Sequence, residues 1–136
     1  MPINGLTDFR RYLRQLPDEL AQEAGVIVQA QATEARAQIA RAYPEGPTGK
    51  LRSGVTVEHQ SNRAASASIV RSRARHASLF ERGTTTRRTA RGANRGAMPE
   101  GAENERMIPI IVRRRRAMTL ALIELVRRAG FQVDAK

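Results

Sequence analysis

The stretch Tyr43-Pro44-Glu45-Gly46-Pro47-Thr48-Gly49-Lys50-Leu51-Arg52 divides the chain into two kinds of pattern. Apolar residues recur at helical spacing before it and alternate at period two after it. Pro44 and Pro47 fix φ and disfavour helix in the residues preceding them, while Gly46 and Gly49 permit backbone angles closed to other residues. The stretch therefore reads as a rigid, sharply turned connector that no single helix or strand can run through. A Gly-Lys pair in such a loop raises the question of a phosphate cradle. That cradle needs a glycine where Pro44 stands and a Ser or Thr hydroxyl where Leu51 stands, so the mismatch argues against nucleotide binding.

Upstream, Leu6, Phe9, Leu13 and Leu16 recur at helical spacing and predict a short first helix, with Asn4 or Thr7 as its cap. Pro17-Asp18-Glu19 reads as a fresh helix start, because proline suits the first helical position and carboxylates suit the positive end of the helix dipole. From there Leu20, Ala24, Ile27, Val28, Ala35 and Ile39 form a narrow apolar stripe to about Ala42. The stripe fits an ordinary core helix and equally a helix that receives a partner closely over its alanines.

Downstream, Val55 and Val57 alternate with Thr56 and Glu58, and a polar turn near Ser61-Asn62-Arg63 leads to Ala65, Ala67 and Ile69 at period two. This predicts a hairpin with strands near 53–60 and 65–72, on which Arg71, Arg73 and Arg75 would share one face if the second strand continued. His76 to Glu81 is compatible with either strand or a short helix. Between Phe80 and Met98 there is no large aliphatic or aromatic residue, while Gly83, Gly92 and Gly96 and Arg87, Arg88, Arg91 and Arg95 accumulate. A stretch so poor in apolar surface does not offset its own ordering entropy, so 84–107 is expected to be an extended arm, mobile in a free subunit and ordered on assembly.

The last helix is expected to open near Pro109, to bury Ile111, Met118, Leu122 and Leu125, and to stop at Gly130. Arg113, Arg114, Arg115 and Arg116 sweep most of the way around it at about 100° per residue, so at least two must face solvent or a partner. Cations are disfavoured near a helix N-terminus by about 0.3–1 kcal/mol, so phosphates or a neighbour's carboxylates would be the compensating anions; a solvated face is the alternative. Arg127 and Arg128 need no such partner, since the dipole favours them at the C-terminal end.

Charge follows the same division. Residues 1–43 carry five Arg against five Asp and Glu, residues 44–83 are +4 and residues 84–136 are +7, which together give the net +11. The basic excess of the later two-thirds implies a surface that meets something anionic, either DNA or acidic neighbours. With almost no aromatic residues to stack on bases, contact with duplex DNA would be to the phosphate backbone and without sequence preference.

The 136 residues suffice for a single domain with one modest core. Its apolar content leans on 21 alanines with three Phe, two Tyr and no Trp. At about 1.5–3 kcal/mol per large side chain buried, so thin an interior favours further burial between subunits. There is no cysteine, and His59 and His76 are the only imidazoles, so neither a disulfide nor a zinc site is expected, and no cofactor is implied. No run approaches a membrane span, and Met1-Pro2-Ile3-Asn4-Gly5 lacks the basic-then-apolar order of a signal peptide, so a soluble protein is expected. No catalytic constellation is evident: Glu100, Glu103 and Glu105 fall in the glycine-rich segment, and neither histidine has a nucleophile in view. Glu81 stands out among the acids, with pairing to a nearby Arg as its plain role.

Three marks, in order, resemble a known family. Pro44 followed by Thr48-Gly49 and Leu51-Arg52 ends the helix; Ala77 and Phe80-Glu81-Arg82-Gly83-Thr84 follow; Pro109 then opens a helix carrying Arg113 to Arg116. This arrangement is similar to that of the head-to-tail joining, neck and tail-completion proteins of long-tailed double-stranded DNA phages. The resemblance implies an α+β subunit with a long N-terminal helix, a small antiparallel sheet, an extended basic arm and a C-terminal helix packed on the sheet. It implies a structural, non-enzymatic virion protein, made in the host cytoplasm, that forms a homo-oligomeric ring around the DNA path. About six subunits are expected, with about twelve as the rival count. Its partners would be itself, the neighbouring head-completion and tail proteins, and duplex DNA in the channel. On this resemblance Pro44, Pro47, Thr48, Gly49, Leu51 and Arg52 are the junction turn. Phe80, Glu81, Gly83, Thr84 and Arg113 to Arg116 are candidate subunit contacts, and Arg87, Arg88, Arg91 and Arg95 candidate contacts to DNA phosphates or a neighbour. A free basic nucleic-acid-binding protein is the alternative that the charge pattern alone leaves open.

Overall fold

A computed structural model of the chain describes residues 18–62, 65–94, 96–97 and 105–132. The expected helix over Leu6 to Leu16, the turn residue Arg63, the loop residue Arg95, and Glu100 and Glu103 lie outside the described residues. In chain order the elements are α1 (Asp18–Ala42), α2 (Lys50–Ser53), β1 (Val55–Asn62), β2 (Ala65–Ser72), α3 (Ala77–Arg82) and α4 (Met107–Arg128). The fold is α+β, with one two-stranded antiparallel sheet formed by β1 and β2.

α1 ends at Ala42, where the proline of the next turn forbids its continuation. α4 begins at Met107, two residues before the expected Pro109, which a first helical turn accepts because its N–H would find no partner there anyway. This earlier start moves Arg113 to Arg116 two residues further from the N-terminal end, where the dipole acts most, so the penalty expected from the sequence is reduced. At its far end Gly130 adopts φ 90°. Phe131 N–H donates to the Val126 carbonyl at 3.2 Å and Gly130 N–H to that of Arg127 at 2.9 Å. These two bonds close the helix in a Schellman motif.

Two compact units are present. The described residues within Ala35–Thr56 and Val70–Val112 make one of them. Its core gathers Ala35, Ile39, Tyr43, Leu51, Val55, Ala77 and Ile110, with Val70, Ala74, Phe80, Met107 and Ile111 packed around them. Tyr43 and Phe80 meet edge to face, with ring centroids 5.6 Å apart and planes at 89°, an arrangement the aromatic quadrupoles favour.

The other unit comprises the described residues of Met1–Glu34, Val57–Ile69 and Arg113–Lys136. Here Leu125 and Val126 are the buried hydrophobics among the described residues. A groove of about 750 Å³ is lined by Gln22, Gly25 and Val26 of α1, His59 and Ser66 of the hairpin, and Leu122 of α4, among others. The alternation expected in β2 is present, but the face carrying Ser66, Ser68, Val70 and Ser72 is the more covered one, while Ala65, Ala67, Ile69 and Arg71 are exposed. Small residues explain this. A Cβ placed on Gly25 would lie 3.5 Å from the Ser66 hydroxyl, so strand and helix approach closely where both side chains are minimal.

Candidate functional site

The junction is built by two glycines and an arginine. Gly46 and Gly49 take φ 61° and 60°, and Gly49 stands immediately before α2, a four-residue helix that the sequence pattern did not reveal. Pro44, Pro47 and Thr48 are exposed at the turn, and Leu51 is buried in the core. Arg52 turns back on α1, its Nε donating to the Tyr43 carbonyl at 2.7 Å. A cation just beyond a helix C-terminus satisfies a carbonyl and complements the dipole. The same guanidinium lies 3.6 Å from Glu45, a pair too exposed to contribute much. Arg36 Nε makes a comparable bond to the Val55 carbonyl at 3.1 Å. The Leu-Arg pair therefore has a complete structural role inside its own chain.

Gly54 adds a residue that the periodicity does not point to, although a Ser-Gly step before a strand is a recognisable signal for a tight approach. Its carbonyl accepts from Arg73 N–H at 2.8 Å, and its N–H donates to the Lys50 carbonyl at 2.9 Å. An added Cβ would come within 2.8 Å of that carbonyl oxygen and 2.9 Å of Ala74 N.

The Phe80-Glu81-Arg82-Gly83 mark resolves into a clamp. α3 is helical, settling the ambiguity over 76–81, and Gly83 ends it at φ 74°. Glu81 accepts from Arg106 N–H at 2.8 Å through one carboxylate oxygen and from Met107 N–H at 3.0 Å through the other. The acid thereby satisfies donors at the start of α4, which carry the positive end of that helix. Its partners are backbone groups rather than the side chain of an arginine. Burial, and then the nearby Glu81 carboxylate, push the Tyr43 hydroxyl well above the usual tyrosine range. That hydroxyl is buried without an acceptor at full hydrogen-bonding geometry.

The segment after Gly83 was expected to lack structure of its own, and its described part differs. Thr89 N–H donates to the Ala93 carbonyl at 2.9 Å, Gly92 N–H to that of Thr89 at 2.9 Å, and Arg87 N–H to that of Gly96 at 3.0 Å. Arg88 and Asn94 form an antiparallel bridge. Side chains reinforce the turn, with Ala93 N–H on Thr89 Oγ1 and Gly96 N–H on Asn94 Oδ1. Local polar bonds thus hold the loop where apolar burial does not. Arg88 and Arg91 are exposed on it, Arg87 and Thr84 are half-buried, and Arg95 lies outside the described residues.

In the other unit the arginine block divides as helical geometry requires. Arg114 is half-buried, with Nη1 on the Gln31 amide oxygen at 3.5 Å, while Arg113, Arg115 and Arg116 are exposed. Arg128 pairs with Glu23 at 2.8 Å on the surface. His59 Nδ1 and Ser68 Oγ lie 2.7 Å apart across the hairpin. An exposed pair of this kind lacks the enclosed, oriented setting of a nucleophile and its base. Among the described residues, no group of three or more His, Asp or Glu is placed to hold a metal, and no helix is long and apolar enough to cross a membrane.

The protein-family model described as "Bacteriophage HK97-gp10, putative tail-component" matches residues 7–83, more than half of the chain. The matched span ends two residues after Glu81 and contains the junction, the hairpin and α3, but not the amides at the start of α4 that Glu81 holds. No curated protein and no solved structure gives a match.

Proposed function

This chain belongs to the HK97-gp10-like family of bacteriophage tail components, and on that premise we propose that it is a ring-forming structural subunit at the head-to-tail interface. It works by shape and charge complementarity between identical subunits, as a neck or tail-completion ring around the DNA path. About six copies close the ring, with about twelve as the rival count. The subunit acts as one domain, with α4 packed on the sheet. In the basic segment 84–107, Arg87, Arg88, Arg91 and Arg95 meet a neighbour's carboxylates or duplex phosphates. Head-completion proteins and other tail proteins bound the ring above and below.

The observation that carries this reading is how little of the subunit is sealed. Among the described residues the buried hydrophobics are Ala35, Ile39, Tyr43, Leu51, Val55, Ala77, Ile110, Leu125 and Val126, two of them alanines. Against them stand five large hydrophobics left exposed, Val26, Ile69, Ile108, Val112 and Leu120. Surface that a lone subunit leaves wet is covered when copies associate.

Light scattering and native mass spectrometry of the purified protein test this. A closed oligomer that keeps its mass at about 0.5 M salt is expected, since apolar contacts resist screening. The exposed Arg88 and Arg91 favour the second reading, a free binder of nucleic-acid backbones. A monomer at every concentration, with duplex affinity falling linearly in log salt, would establish that reading instead.

A further inference from the structure

We propose that the outward face of α4 from Arg113 to Leu120 docks in parallel against the outward face of α1 from Glu19 to Val26 of a second copy of this chain. The proposal rests on the ring reading above and specifies one of its contacts. Leu120 is 60% exposed and Val26 64% exposed, in the middle of otherwise polar helix surfaces. Beside Leu120 on α4 stand Arg113 and Arg116, both exposed, at the seven- and four-residue spacings that share one helix face. Beside Val26 on α1 stand Glu19 and Glu23, both exposed, at spacings of seven and three.

The two faces match in register. Seven residues separate Glu19 from Val26 and Arg113 from Leu120, about 10.5 Å of helix in each case. Laid parallel with Val26 against Leu120, Glu19 meets Arg113, and Glu23, which also pairs with Arg128 of its own chain, comes beside Arg116. Laid antiparallel, Glu19 would meet Arg127 but Glu23 would meet Glu124, both on the Leu120 face, so one attractive pair is set against one repulsive pair where the parallel register opposes only unlike charges. A duplex is a poorer occupant. Phosphates would pair with the arginines but would be repelled by Glu124 and would leave Leu120 wet. A second copy's α1 supplies both the carboxylates and the apolar contact. The two patches differ, so the contact is heterologous and repeats from copy to copy, as ring closure requires.

The chain has no cysteine, which makes the test clean. Val26→Cys and Leu120→Cys chains, co-expressed and oxidised, should give a dimer-mass band on a denaturing gel that neither variant gives alone. Arg113→Glu should lose the oligomer in light scattering, and Glu19→Arg should do the same. The double variant should recover it. Both positions are exposed, so urea midpoints measured at dilutions where every chain is monomeric should stay unchanged and separate lost assembly from lost folding. A Leu120→Cys chain that links to itself would mean a two-fold contact and overturn the proposal. Assembly that persists without the mixed cross-link or the charge-swap recovery would also overturn it while leaving the ring reading intact. Duplex binding lost in Arg113→Glu with assembly unchanged would assign the face to DNA. A wild-type chain that stays monomeric would remove the ring reading itself, and this contact with it.

Discussion

The two units of this subunit solve burial differently. The unit holding Tyr43 closes on itself: helix, turn, strand start and α3 each contribute a buried side chain, and arginines and Glu81 satisfy the backbone groups left at its joints. The unit holding Leu125 is open, with a groove along α1 and small polar residues on the hairpin face. The contrast separates a region sealed within one chain from a region left partly open to water. The open unit lines its groove with small and polar residues, while the unit that fixes the joints is packed tightly.

The largest test of that contrast compares two aliphatic truncations. Ile39→Ala, at a site with no exposure, should cost about 4 kcal/mol, and Leu125→Ala, beside the groove, about 2 kcal/mol, measured by urea unfolding of subunits held monomeric. Equal costs would erase the distinction. Next in size, Gly54→Ala should cost about 1–3 kcal/mol, because the added methyl meets backbone atoms that cannot swing aside. An unchanged midpoint would show that the turn is looser than its geometry.

A titration sharpens the closed side of the comparison. The folded chain keeps the Tyr43 proton to higher pH than the unfolded chain, whose tyrosines titrate near 10. Above about pH 10 the native state therefore binds more protons, so unfolding free energy falls as pH rises there and not below. Tyr43→Phe should flatten that alkaline fall, as followed by stability curves from about pH 8 to pH 11. Smallest of all, Leu120→Ala should move the unfolding free energy of a monomeric subunit by no more than about 0.5 kcal/mol, since its side chain is exposed.

Much of the scaffold was legible because it rests on local rules. The end of α1 before Pro44, the alternation of Val55 and Thr56, and the stop at Gly130 all follow from neighbours in sequence. α2 escaped notice because four residues between glycines carry no periodicity to read. The covered face of β2 was hidden for another reason: serines line it because Gly25, some forty residues away in sequence, brings α1 close. Glu81 could be singled out, but not its partners, since a carboxylate that holds the start of a helix at residues 106 and 107 leaves no mark in either stretch. Of the candidate contacts, exposure of most of the arginine block followed from helix geometry alone; what each arginine meets does not.

The Glu81 clamp also bears on the order in which the chain can mature. The carboxylate waits for two amide groups more than twenty positions downstream, and Ile110 must arrive before the interior around Ile39 is sealed. Both compact units draw on α4, so during translation neither is finished until that helix has left the ribosome. A chain cut short before Met107 would accordingly leave the interior around Ile39 without Ile110 and the Glu81 carboxylate without its two amides.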